Sequence, residues 1–215
     1  MILIEEHHSI FIATPRCGTT SVFTALKPFG AVAVLPEGTE SRIPVYDHID
    51  GFHSPHVPDE FRHFRVVGGV RNPFSRMVSH FLFAKRSRGH RWRKFTRQGF
   101  RRFILRVFDS GSYMSQHEMH HISQPDFVMK FEDPIAVQLQ SGFPNIPIDL
   151  DEYPHINKTN YKRHWSSWYS DVGKMKKIVE YIRRVEGPTF ERFGYPVNPL
   201  ELSKPLSEEA VYPSS

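Results

Sequence analysis

At 215 residues and 39% hydrophobic content the chain can bury a substantial core, and nothing in its length forces a second domain. Cys17 is the one cysteine, which excludes an intramolecular disulfide. The formal net charge of +5 is compatible with an anionic partner. With no run of about eighteen apolar residues and no basic-then-apolar leader, the sequence reads as cytoplasmic rather than membrane-spanning or secreted.

In chain order, His8-Ser-Ile-Phe-Ile-Ala13 is a short apolar run suited to a buried strand, and Val22-Phe-Thr-Ala-Leu-Lys27 continues as a helix that stops near Pro28 and Gly30. Between them lie Pro15, Arg16, Cys17, Gly18, Thr19, Thr20 and Ser21. Gly18 lets backbone approach a ligand closely, helix-start amides point at it, and Arg16 adds a planar, permanent charge. A phosphate or sulfate is the expected guest. A Walker A loop is excluded, because no Gly-Lys-Ser/Thr follows a glycine and four spacer residues anywhere in the chain.

A second strand is expected near 31–35. The stretch Asp47-His-Ile-Asp-Gly-Phe-His-Ser-Pro-His56 then offers His48, His53 and His56, residues whose ordinary pKa of about 6.5 suits a general base. With 13 His in the chain, the ordinary role for any one of them is a solvated or structurally bonded side chain. Neither His-Glu-x-x-His nor a Cys-bearing zinc spacing is present, so no metal site is expected.

Phe64-Arg-Val-Val-Gly-Gly-Val70 reads as a buried strand with Arg71 at its end, and Asn72-Pro73 as a helix start with Asn as cap. On that helix Arg76 shares a face with Ser79 and His80. Arg71 and Ser79 can therefore converge on one anion. Two anion sites at the ends of adjacent strands suit a ligand with two separated charges at the carboxyl edge of a parallel sheet.

The stretch from Lys85 to Arg106, KRSRGHRWRKFTRQGFRRFILR, holds ten Lys and Arg and no acid, so removing its +10 from the formal +5 leaves −5 elsewhere. Phe95, Phe100, Phe103, Ile104 and Val107 can face inward on a helix there while the basic residues face water. That face is either simply solvated or a landing surface for an anionic partner. A strand is expected near 126–131. Helices are expected at 19–28, 73–87, 92–109, 133–141 and 171–186, and alternation with strands argues for an α/β fold with a doubly wound parallel sheet. The spacing of Trp165, Trp168 and Tyr169 fits a helix face packed in the core better than a sugar-stacking platform. One domain over residues 1–196 is expected, with a Pro-containing tail, 197–215, that wraps the surface or is partly disordered.

These segments resemble the sulfotransferases that use 3′-phosphoadenosine 5′-phosphosulfate (PAPS), in particular their carbohydrate branch. Thr14-Pro-Arg-Cys-Gly-Thr-Thr-Ser21 is similar to the family's 5′-phosphosulfate loop, and Arg71-Asn-Pro-x-x-Arg-x-x-Ser79 to its 3′-phosphate motif. Asp126-Phe-Val-Met-Lys-Phe-Glu132, Pro154-His-Ile-Asn-Lys-Thr159 and Phe190-Glu-Arg-Phe-Gly-Tyr195 are similar to later landmarks, so the resemblance spans residues 8–196. It implies the sulfotransferase fold with a P-loop-like phosphate-binding loop, PAPS as donor, the nucleotide PAP as product and no metal. Arg16, Cys17, Gly18, Thr19, Thr20, Ser21, Arg71, Ser79 and Lys158 would bind the nucleotide, with Asn157-Lys-Thr159 in that site rather than a glycosylation sequon. Cys17 would fill the family's variable loop position rather than act as a reactive thiol.

The family's loop usually carries Lys where this chain has Arg16. An arginine would act by hydrogen bonding and charge rather than by donating a proton, or would only bind phosphate. The resemblance favours His53 as base, with His48 and His56 close rivals and Glu5, Glu6 and Asp50 behind them. It also makes a glycan, anionic glycans included, the expected acceptor. Since eukaryotic members are usually Golgi-anchored, a trimmed lumenal chain is the second reading of its location. Two rivals belong to other classes: a nucleic-acid or polyanion binder using residues 85–106, and a small-molecule kinase with an unorthodox phosphate loop, which would need ATP and Mg²⁺. No nucleic-acid fold signature accompanies the basic stretch, which disfavours the first. No convincing metal-binding carboxylate follows a strand, which disfavours the second.

Overall fold

Short runs of bulky apolar residues form the strands of this chain in a computed structural model that describes residues 1–34, 55–87, 96–110, 113–149 and 164–201. The chain falls into two units, Met1–Arg71 with Glu118–Lys158, and Asn72–His117 with Thr159–Ser215.

The first unit carries a five-stranded sheet of order β3-β1-β2-β4-β5, made of β1 (Ile2–Ile4), β2 (Ser9–Ile12), β3 (Val32–Ala33), β4 (Arg65–Val70) and β5 (Phe127–Lys130). β2, β4 and β5 are parallel, as expected, whereas β1 runs antiparallel to both β2 and β3. The sheet is thus mixed, which corrects the all-parallel expectation. Only Glu5, Glu6, His7 and His8 separate β1 from β2, and a parallel crossover needs about a dozen residues or more, so β1 must fold back as a hairpin.

Alternation along the strands builds two cores. Ile2, Ile4, Phe11, Ala13, Val67 and Met129 face Val22, Phe23 and Leu26 of α1 (Thr19–Leu26) and Leu139 of α5 (Ile135–Gly142). Leu3, Ile10, Ile12 and Val66 point the other way, onto Met119 of α4 (Gln116–Ser123). Full burial of each such large side chain is worth roughly 1.5–3 kcal/mol.

In the second unit α2 (Pro73–Ser87) begins as the sequence indicates: Asn72 Oδ1 accepts from the amides of Phe74 at 3.0 Å and Ser75 at 3.3 Å. Thr96 caps α3 (Arg97–Asp109) by accepting from the Gly99 amide at 3.1 Å. Asp171 caps α6 (Val172–Phe193) by accepting from Lys174, and Gly194 ends that helix at φ 66°. Phe74, Met77, Val78 and Phe81 of α2, Phe100, Phe103, Ile104 and Phe108 of α3, and Met175, Ile178, Ile182 and Phe190 of α6 form its core. Trp168 packs edge-on against Phe81 and Phe100, and the buried Tyr169 donates its hydroxyl to the Phe74 carbonyl at 2.9 Å, so these two rings are core residues. Phe95 lies outside the described residues.

That core encloses an ion pair. Arg76 Nη1 and Glu186 Oε1 are 2.8 Å apart with side chains 2% and 0% exposed. Tyr113 donates its hydroxyl to the same oxygen, Thr189 donates to Oε2 at 2.6 Å, and the Gln116 amide at 3.3 Å. α6 continues beyond the expected end at residue 186, through Gly187 and Pro188, because this network and Phe190 bury its last turns, which offsets the one amide bond that proline removes.

α4 and β1 were not anticipated; β1 is three residues long, and α4 is largely polar, with Met119 and His120 turned inward. Among the described residues, no helix is long and apolar enough to cross a membrane.

Two stability measurements follow from these contacts. Glu186→Gln leaves the Arg76 charge buried without its counter-ion and is expected to cost about 3–5 kcal/mol in urea unfolding; a loss below about 1 kcal/mol would show that other groups compensate that charge. The buried Met1 amino group donates to the Val34 carbonyl at 3.1 Å, and burial pushes its pKa from 8.0 down to about 5. Between those values the unfolded chain binds a proton that the folded chain does not, so stability should rise as pH goes from about 5 to about 8. Acetylating the Met1 amine should flatten that rise, and an unchanged pH slope would refute the assignment.

Candidate anion-binding site

The turn after β2 is closed on the carbonyls of Ile12 and Thr14. The Thr14 amide donates to the Ile12 carbonyl at 2.8 Å, while the Cys17 amide at 3.2 Å and the Thr19 hydroxyl at 3.1 Å both donate to the Thr14 carbonyl. Two left-handed residues make so tight a turn possible, Arg16 at φ 69° and Gly18 at φ 73°. Glycine adopts that conformation freely, whereas an arginine there is strained by roughly 1–2 kcal/mol. The first bond within α1 runs from the Val22 amide to the Gly18 carbonyl, so the amides of Thr19, Thr20 and Ser21 precede the helical ladder and emerge at its start. Thr14 is fully buried, and its Oγ1 has no hydrogen-bond partner among the described residues.

β4 delivers the second cation to this turn. Arg71, 7% exposed, donates from Nη1 to the Arg16 carbonyl at 3.2 Å, and its guanidinium carbon stands 4.3 Å from the centre of the Phe131 ring. Two glycines just before it let other elements close in. A Cβ on Gly68 would lie 3.1 Å from His120 Nε2, and one on Gly69 would lie 3.4 Å from Cys17. His120 Nε2 bonds the Gly69 carbonyl at 3.1 Å, and since a carbonyl only accepts, that nitrogen carries the proton.

The structure therefore brings together Arg16, Cys17, Gly18, Thr19 and Arg71, with Thr20 and Ser21 in the first turn of α1. Cys17 is buried, its thiol directed to the Pro15 carbonyl at 3.8 Å. Ser79 is buried on α2 in the second unit. Arg76, three residues before Ser79, is committed to Glu186. His48, His53 and Lys158 lie outside the described residues, as do Asp50 and the segment from His155 to Thr159; His56 is described and exposed. Of the basic stretch, residues 88–95 are outside the described set. On α3, Arg102 and Arg106 are exposed, while Arg97 donates to the Ser167 carbonyl and the Ser170 hydroxyl.

Chemically, this arrangement sets a helix start and the Arg71 guanidinium beside the turn that carries Arg16, at the carboxyl ends of neighbouring parallel strands, a set of groups suited to an anion. Two contributors were given no site role from the sequence: Phe131, which lies within the landmark at 126–132, and His120. The first could have been noticed because it follows the third parallel strand as Arg71 follows the second; His120 had no comparable signal. Comparison with protein-family models, curated proteins and solved structures finds no match to this chain.

Gly18→Ala would strain the left-handed turn and drive a methyl group to 3.1 Å from the Phe131 ring. The expected result is a loss of roughly 1–2 kcal/mol in urea unfolding together with weaker sulfate binding. Unchanged values for both would show that the turn is not held by this conformation.

Proposed function

We propose that this chain is a PAPS-dependent sulfotransferase acting on an acceptor hydroxyl or amine, with a carbohydrate acceptor as the favoured case. The observation that carries the reading is the 3.2 Å bond from Arg71 to the Arg16 carbonyl, which joins two motifs 55 residues apart. A donor nucleotide with a 5′-phosphosulfate and a 3′-phosphate presents two separated anions to such a pair.

In this reading the acceptor oxygen or nitrogen attacks sulfur while the bond from sulfur to the bridging oxygen of the 5′-phosphate breaks. Negative charge grows on that oxygen, where the amides at the start of α1 and the fixed charge of Arg16 lower the barrier. An arginine holds its proton throughout, so Arg16 acts by charge and hydrogen bonding. Arg71 takes the 3′-phosphate. The acceptor proton passes to a histidine, with His53 favoured over His48 by the resemblance. Positioning and charge stabilisation dominate, as in phosphoryl transfer.

Calorimetric titration with PAP, beside AMP and ATP with Mg²⁺, tests the reading. Micromolar PAP binding, weaker AMP binding and loss of that preference in Arg71→Ala are expected. Absence of PAP binding, or preference for ATP, would overturn it in favour of the kinase or polyanion alternatives.

A further inference from the structure

We propose that Phe131 is the positioning residue of this nucleotide site, one ring that fixes both the Arg16 turn and the Arg71 guanidinium; the inference rests on the sulfotransferase reading above. Phe131 follows directly on β5, and its amide donates to the Val70 carbonyl at 2.8 Å, which ties its backbone to the residue before Arg71. One part of the ring lies against Gly18: Cδ2 and Cε2 are each 3.1 Å from where a Cβ would stand. Arg71 Cζ lies 4.3 Å from the ring centre. A single half-buried side chain thus touches both motifs that the proposal needs, without belonging to either.

The chemistry of this support matters. An aromatic face attracts the cation through its quadrupole and fixes the plane of approach of the guanidinium. Phe131 also acts on Gly18 by shape, keeping the left-handed turn pressed into place so that the α1 amides stay at the ligand. Through Arg71 it should govern discrimination for the 3′-phosphate, and through Gly18 the hold on the 5′ end.

The test compares PAP with AMP by calorimetry on the wild-type chain and on Phe131→Leu, Phe131→Met and Phe131→Tyr, with thermal melting run alongside. Leucine and methionine keep much of the volume and remove the ring, whereas tyrosine keeps the ring. The expected result is a PAP-over-AMP preference that falls about tenfold in the leucine and methionine variants and is retained by tyrosine. Should the leucine chain fail to fold, the methionine chain decides. A melting temperature that drops while the preference stays at the wild-type value would overturn the positioning role and leave the nucleotide reading standing. If the wild-type chain itself does not distinguish PAP from AMP, both fall together.

Discussion

Parallel pairing of β2 with β4 is the constraint on which the first unit depends. With Ser9 opposite Arg65, Phe11 opposite Val67 and Ile12 opposite Gly68, the two strands end at the same edge. One strand then releases the Arg16 turn and the other releases Arg71. β5 adds a third parallel end through Val70 opposite Lys130, and Phe131 emerges there. A slip of one residue in β4 would turn Val67 away from Phe11 and Met129 and would carry Arg71 to the opposite face, so the core and the site share one register. The hairpin of β1 covers the other side of β2 and leaves that edge of the sheet untouched.

Five positions apart, two arginines of one motif meet opposite fates. Arg76 enters the apolar core of the second unit, where a bare guanidinium would be very costly, and Glu186 with its ring of donors makes it tolerable. Arg71 is buried almost as deeply, and it meets a backbone carbonyl and the face of an aromatic ring. Motif spacing alone does not separate these roles. What separates them is the chemistry of the partner, and those partners sit 110 and 60 residues away in the chain.

Strands β2, β4 and β5 and helices α1 and α2 were legible because each combines a strong apolar period with clear punctuation, such as Asn72-Pro73 before α2 and Gly30 after α1. The reversed strand was not legible: Ile2, Leu3 and Ile4 are too few to show alternation, and their direction follows from the shortness of the connection rather than from any side chain. α4 hides for another reason, since Gln116-His-Glu-Met-His-His is mostly polar, and His120 becomes a core residue only because Gly68 leaves room for it. Of the candidate site, the residues suited to an anion were readable from their type and spacing. The ring beneath them was marked only by its place at the end of the third parallel strand, because an aromatic there has no chemistry that singles it out until its neighbours are known.

Two local costs of the first unit fall at the same turn. Stability alone would favour glycine or asparagine at position 16, where the backbone is left-handed, and valine at position 14, which has the shape of threonine without a hydroxyl to desolvate. The chain instead carries a strained arginine and a buried hydroxyl there, each worth roughly 1–2 kcal/mol against folding. Left-handed backbone also occurs at His8 and Gln124 of this unit, whereas along the apolar faces of β2 and β4 local and tertiary preferences agree. At the turn after β2 the two costs coincide, and they fall on arginine and threonine, residue types suited to holding an oxyanion. That supports an anion site at Arg16 on physical grounds that do not pass through the resemblance.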